Sequence, residues 1–293
     1  MEVILFAVLP TVTIVAIGYA WAKLGRGFDR ATLTPLVSDL GVPCLAFTTL
    51  AKLNLSPIVL AATAAAAILI LAATMALAAL ILRLFGLSLR TYLPSLTFPN
   101  AGNLGLSLAL SAFGPVGLSF AMIMFTIYSI SNNTIGRTIA AGGANWRAGL
   151  LTPILPAVVL GLICSFAHIA PPPWLMNALS LVGGLAVPLM LLMLGASLAV
   201  IKVRTFGRAS ALSLLRIGLG AGVGLAVTAL FHFTGPQRAA LVLQSAMPAA
   251  VINYLFADLY QTEPEEIASL VVLSTLFSVI TTPLLLALLL HSA

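Results

Sequence analysis

The sequence predicts an all-α polytopic membrane protein. Ten transmembrane helices form a 5+5 inverted repeat, with broken helices 4 and 9 crossing inside it. Three observations carry that prediction. Only 7% of the 293 residues are charged and 61% are hydrophobic, with a mean hydropathy of +1.17; a soluble domain carries about 25% charge. Two apolar stretches, 97–107 (TFPNAGNLGLS) and 241–258 (LVLQSAMPAAVINYLFAD), are interrupted halfway by proline, glycine or amides. The halves also echo one another. A shift of 149 carries Gly86 onto Gly235, Pro99 onto Pro248, Pro115 onto Pro264, Thr126 onto Thr275 and Ser129 onto Ser278. An odd number of spans per half turns the second half upside down, as in inverted-repeat transporters.

A span takes about 20 apolar residues, so ten spans with short loops use up the chain. Span 1 covers 3–22. It begins without a basic leader region, so it is expected to be a retained helix. A basic loop, 23–30, leads to span 2 (31–53), which contains Asp39 and Pro43. Span 3 (57–84) is rich in alanine and leucine. Arg83 and Arg90 flank the loop into span 4, the first interrupted segment. Phe113, Gly114 and Pro115 form a turn into span 5 (116–139), which carries Ser129, Ser131, Asn132, Asn133 and Thr134. Residues 140–149 are the linker-like stretch at mid-chain. Span 6 (150–169) ends at three prolines and Trp174, a residue suited to a headgroup interface. Span 7 (175–200) holds Gly183, Gly184 and Pro188. Span 8 (209–231) has glycines at 218, 220, 222 and 224, spaced for close helix packing. Span 9 is the second interrupted segment. An acidic turn with Glu263, Glu265 and Glu266 precedes span 10 (267–290).

Loop charge sets the orientation. With the N-terminus outside, ten cations fall in inward loops: Lys23, Arg26, Arg30, Arg83, Arg90, Arg137, Arg147, Lys202, Arg204 and Arg208. Outward loops hold Lys52 and Arg238. The positive-inside rule then puts both termini outside the cytoplasm. It also accounts for the +6 net charge without a nucleic-acid partner. Arg216 is left over inside span 8, to snorkel or to face the interior. Cys44 and Cys164 fall within spans and read as packing residues.

The interruptions are where chemistry is expected. Pro99 and Pro248 remove backbone donors and crowd the preceding turn; Gly102 loosens the chain further. Hydrocarbon does not solvate the amides of Asn100 and Asn103, and broken backbone in a bilayer survives only against protein or a water-filled cavity. The functional reading has Asn100 hold a cargo carboxylate, helped by half-helix N-termini. The bland reading makes Asn100 and Asn103 structural caps. Asn253, Gln244 and Tyr254 are the span 9 counterparts, either lining the site or bonding between helices. Asn133 in span 5 is equally open. Asp39 lies well inside span 2, where a carboxylate is a functional candidate by default. It couples a proton, or it sits hydrated at the cytoplasmic mouth.

Span 4 (FPNAGNLG) and span 9 with its following loop (MPAAVINYLFADLYQTEPEE) resemble the auxin efflux carrier family, which includes plant PIN carriers and bacterial malate and malonate permeases. Ala257 and Tyr260 downstream of Pro248, and the serine–threonine run 274–283 in span 10, carry the likeness further. The resemblance implies the fold of sodium/proton antiporters and bile-acid symporters. It implies a scaffold of spans 1–2 (1–56) and 6–7 (150–203). Spans 3–5 (57–140) and 8–10 (204–293) would form a transport domain, joined by the loop 141–149. It further implies a small organic anion as cargo, elevator motion and a homodimer in the cell membrane (bacterial inner membrane). The plant carriers' long cytoplasmic loop is missing here. A sodium symporter of bile-acid type is the alternative, and a non-transporting sensor a further one. An intramembrane enzyme needs a nucleophile–base pair or a metal set, and the spans contain neither. No cofactor is expected.

Overall fold

The chain folds, in a computed structural model, into packed helices; the structure describes residues 2–26, 29–52, 56–143, 152–201 and 203–291. The linker-like stretch expected at 140–149 lies mostly outside the described residues. The elements are α1 (Glu2–Lys23), α2 (Arg30–Pro35), π1 (Leu36–Gly41), α3 (Val42–Ala51), α4 (Pro57–Leu84), α5 (Leu89–Thr97), π2 (Ala101–Leu106), α6 (Ser107–Ser131) and π3 (Asn132–Gly136). They continue with α7 (Arg137–Ala141), α8 (Ile154–Phe166), α9 (Pro173–Gly184), α10 (Ala186–Val200), α11 (Gly207–Leu230), α12 (Gly235–Ser245), α13 (Val251–Leu259) and α14 (Pro264–His291). Among the described residues the one β pairing is an isolated antiparallel bridge, Pro99 to Ala249.

Among the described residues, six helical runs are long and apolar enough to cross a bilayer: Thr32–Ala51, Pro57–Leu84, Ala101–Ala141, Pro173–Val200, Gly207–Leu230 and Pro264–Leu289. Of the ten expected spans, the first enters this count only from Val8 to Lys23. The interrupted segments divide into pieces too short to qualify alone, and α8 has 13 residues. The run Ala101–Ala141, in turn, is two helices in one. Gly114 at φ 64°, ψ −162° breaks it, at the turn expected between spans 4 and 5. Only glycine takes that backbone readily.

Outward faces are apolar. Ile58, Leu181, Leu84 and Leu230 are each at least two-thirds exposed, a surface that fits lipid far better than water. Inside, small residues set the approach distances. A Cβ on Gly18 would meet the Leu192 carbonyl at 2.2 Å, and one on Gly195 the Val15 carbonyl at 2.0 Å, so α1 and α10 touch backbone to backbone. The glycine row of α11 divides by face. Gly220 and Gly224 pack onto Ser245 of α12, whereas Gly218 and Gly222 meet nothing within 4 Å. Half of that row therefore brings α11 close to the end of α12.

One end of the bundle is tied by polar contacts. Arg90 Nε donates to the Ala140 carbonyl (2.8 Å) and Arg137 Nε to the Tyr260 hydroxyl (2.8 Å). The Tyr92 hydroxyl donates to Glu263 (3.1 Å) and Glu266 (3.0 Å) and accepts from Arg208 Nη1 (3.1 Å). Arg204 pairs with Glu265 at 2.5 Å. The acidic turn is thus knitted to the ends of α5 and α11. Its partners are far from it in sequence.

Candidate functional site: a crossing of two interrupted helices

Helix α5 ends at Thr97 because Pro99 follows. The residue before a proline is pushed out of the helical region, and Phe98 is extended at φ −100°, ψ 108°. The chain turns helical again at Ala101. The second break repeats this: α12 ends at Ser245, Pro248 intervenes, and α13 starts after an extended Ala250 (φ −70°, ψ 138°).

The two breaks meet and exchange backbone hydrogen bonds. Asn100 N–H donates to the Pro248 carbonyl at 2.7 Å, and Ala250 N–H donates to the Phe98 carbonyl at 3.2 Å. Ala249 N–H finds the Ser274 hydroxyl of α14 at 3.2 Å. Ala246 and Met247 N–H turn back onto the Val242 and Gln244 carbonyls. The N–H groups of Ala246, Met247, Ala249 and Ala250 at the second break therefore all have partners, as a lipid-embedded break favours.

Side chains then divide into those that hold the crossing and those left over. Asn253, 3% exposed, is fully engaged. Its Nδ2 donates to the Phe98 (3.2 Å) and Pro94 (3.4 Å) carbonyls, and its Oδ1 accepts from Asn132 Nδ2 (3.1 Å). Asn100, 4% exposed, uses its Oδ1 to accept the Asn103 N–H at 3.3 Å, capping the helical run that starts at Ala101. Its Nδ2, a strong donor, is buried without a partner. Gly102 and Asn103 are half-buried on that first turn; a Cβ on Gly102 would meet Phe125 at 2.9 Å. Gln244 is wholly buried. Its Nε2 donates to the Ala121 carbonyl at 3.3 Å, and its unpartnered Oε1 lies where a Cβ on Gly105 would be.

Three sequence candidates lie elsewhere. Tyr254 packs in an apolar cluster with Tyr92, Leu93 and Leu270. The Asn133 amide turns back to its own helix, donating to the Ser129 carbonyl at 2.9 Å; its neighbour Asn132 is the one that reaches the crossing. Asp39 is exposed on π1, accepts from the Ser38 hydroxyl at 2.8 Å, and sits on a segment packed against α9 and α10.

Sequence reasoning left Arg216 unassigned, and it proves central. It is 1% exposed. Its Nη1 donates to the Leu96 carbonyl at 3.0 Å and its Nη2 to the Ser245 carbonyl at 2.8 Å. These are the last turns of α5 and α12, and the two carbonyls are 149 residues apart, the same shift that aligns Pro99 with Pro248. The signal was available: a cation two turns inside a span needs a partner, and Gly220 and Gly224 share its face.

A cavity of about 280 Å³ lies between α1, α10, the start of α6 and α14. Val8, Val12, Leu104, Leu108 and Val279 line it, with the hydroxyls of Thr11, Thr275, Ser278 and Thr282. Leu104 directly follows Asn103, and Thr275 directly follows Ser274, so the cavity adjoins the crossing. None of the asparagines lines it.

Crossed half-helices with opposed ends and a buried unpaired donor, set in a lipid-facing bundle, define a membrane transport protein. The chain belongs to the membrane transport protein family, the auxin efflux carrier family of the sequence resemblance, whose model matches residues 3–145 and 131–286. It is 26% identical to an uncharacterised transporter of Methanothermobacter thermautotrophicus over 94% of this chain and 95% of that one. It is also 26% identical to one of Methanocaldococcus jannaschii, over 62% of each chain.

Proposed function

We propose that the protein is a secondary carrier of small organic anions, with the cargo carboxylate held at the crossing by Asn100 and the N–H groups that open the helical run at Ala101. One observation carries the reading: Asn100 Nδ2 is a buried donor with no partner, at a helix N-terminus that favours negative charge. A buried donor left unpaired costs free energy, and an arriving carboxylate relieves that cost. Asn103, Gly102 and Pro99 shape the same turn; Pro248, Asn253 and Gln244 hold the facing one. The uncharged cavity beside the crossing suits the organic body of such a cargo.

The same reading takes α5 to α6 and α12 to α13 as crossed spans 4 and 9 of a ten-span inverted repeat. Spans 3–5 and 8–10 move as an elevator against a scaffold of spans 1, 2, 6 and 7, through which two copies pair in the cell membrane. Both termini lie outside the cytoplasm. Asp39, on the scaffold, is the candidate for proton coupling; an unchanged pH profile of uptake in Asp39→Asn would exclude it.

The test is uptake by proteoliposomes, with a panel of labelled mono- and dicarboxylates and imposed proton or sodium gradients. Native protein accumulates at least one acid, and Asn100→Ala inserts and folds but loses uptake. Undiminished uptake by Asn100→Ala removes that residue from the site.

A further inference from the structure

Arg216 brings a full positive charge into the middle of the bundle, and its guanidinium serves backbone rather than a carboxylate. Its two bonds, to the Leu96 and Ser245 carbonyls, fall on the two half-helix C-termini of the crossing. Each C-terminus carries roughly half a negative charge and each N-terminus roughly half a positive one. Two C-terminal ends, those of α5 and α12, therefore balance one arginine. The two N-terminal ends, those of α13 and the helical run 101–113, are left unopposed and together amount to about one positive charge. No described carboxylate offsets them. Glu263 and Glu266, which bond to α5 through Tyr92, do so at its opposite end. Burial makes this balance matter, because water screens little of it.

We propose that Arg216 is a positioning residue that sets the charge of the site: by discharging both C-terminal ends, it leaves the crossing matched to a cargo bearing a single negative charge. Without Arg216 the four ends cancel, and an anion gains little by entering. A dianion overloads the native site by one charge. The inference rests on the organic-anion reading above and goes beyond it in fixing the cargo's valence and the residue responsible. Gly220 makes the geometry possible. A Cβ there would meet the Ser245 carbonyl at 1.9 Å and Arg216 Nη1 at 3.2 Å, so only a bare backbone lets the guanidinium reach α12.

The test uses full-length protein in proteoliposomes at neutral pH, with labelled phenylacetate, a monoanion, and labelled malonate, largely a dianion. Phenylacetamide serves as the uncharged competitor. Native protein is expected to take up phenylacetate with a KM at least about tenfold below that for malonate, and phenylacetamide competes poorly. Arg216→Gln raises the KM for phenylacetate about tenfold or more, and phenylacetamide then competes nearly as well as the acid. Arg216→Lys keeps the charge and restores the native KM to within about threefold. A variant that loses maximal rate and melting temperature at unchanged KM shows a merely structural arginine and overturns the proposal. So does a native preference for malonate, which needs no variant to fold and leaves the organic-anion reading standing. Native protein that admits neither acid counts against that reading, and this proposal falls with it.

Discussion

The two breaks share a backbone path and differ in what their side chains have left to offer. At the first, Asn100 caps a helix with its oxygen and holds a free amide donor in the interior. At the second, the residues after Pro248 are Ala249 and Ala250; Asn253 has its donor and acceptor both occupied, and Gln244 has its donor engaged and only an acceptor oxygen to spare. One break keeps polar capacity in reserve, and the other spends it on fastening the pair. Matching folds in two halves of a chain therefore need not mean matching roles. The half with the unspent donor is the better place for a cargo, and the half with the saturated amide is the better clasp.

Several substitutions would break or sharpen that contrast. The largest loss of stability is expected at the clasp's packing surface. Gly220→Val drives a side chain into the Ser245 backbone and should cost about 3 kcal/mol, read as loss of folded protein and of melting temperature. Asn253→Ala removes bonds to Phe98, Pro94 and Asn132 and strands the Asn132 amide; about 2–3 kcal/mol is expected. An equal loss from Asn100→Ala would erase the distinction between clasp and site. Gly105→Ala meets only the end of the flexible Gln244 side chain and no backbone, so about 1 kcal/mol is expected. Asn133→Ala, away from both breaks, should change stability by no more than about 0.5 kcal/mol.

The legibility of these features in the sequence follows from their range. Pro99 and Pro248 act on their own backbone, so the positions of both breaks could be read directly. Gly114 marked its turn for the same reason. The choice between Asn132 and Asn133 could not be read, because it depends on helix register. Adjacent residues on a helix point about 100° apart, and the π-helical turn at Asn132–Gly136 shifts that register. Tyr254 was a span 9 candidate alongside Asn253 and Gln244, yet it packs against the apolar cluster that contains Tyr92. Arg216 was visible as an anomaly and opaque as a role. Backbone carbonyls carry no residue signature, and the two it holds lie 120 and 29 positions away. The acidic turn was opaque for a similar reason: its partners, Tyr92 on α5, Arg208 on α11 and Arg204 just before α11, are distant in sequence.

The most direct measurement uses Asn100→Asp. Aspartate keeps the shape and the capping oxygen, so the fold and its melting temperature should hold. It also replaces the free donor with a negative charge at the point where the cargo's own charge is placed. Labelled-acid uptake should fall at least about tenfold, equivalent to about 1.4 kcal/mol of lost binding, and recover in part as acidification protonates the new carboxyl. A folded Asn100→Asp protein that takes up the acid as fast as the native one, at every pH, would contradict the account.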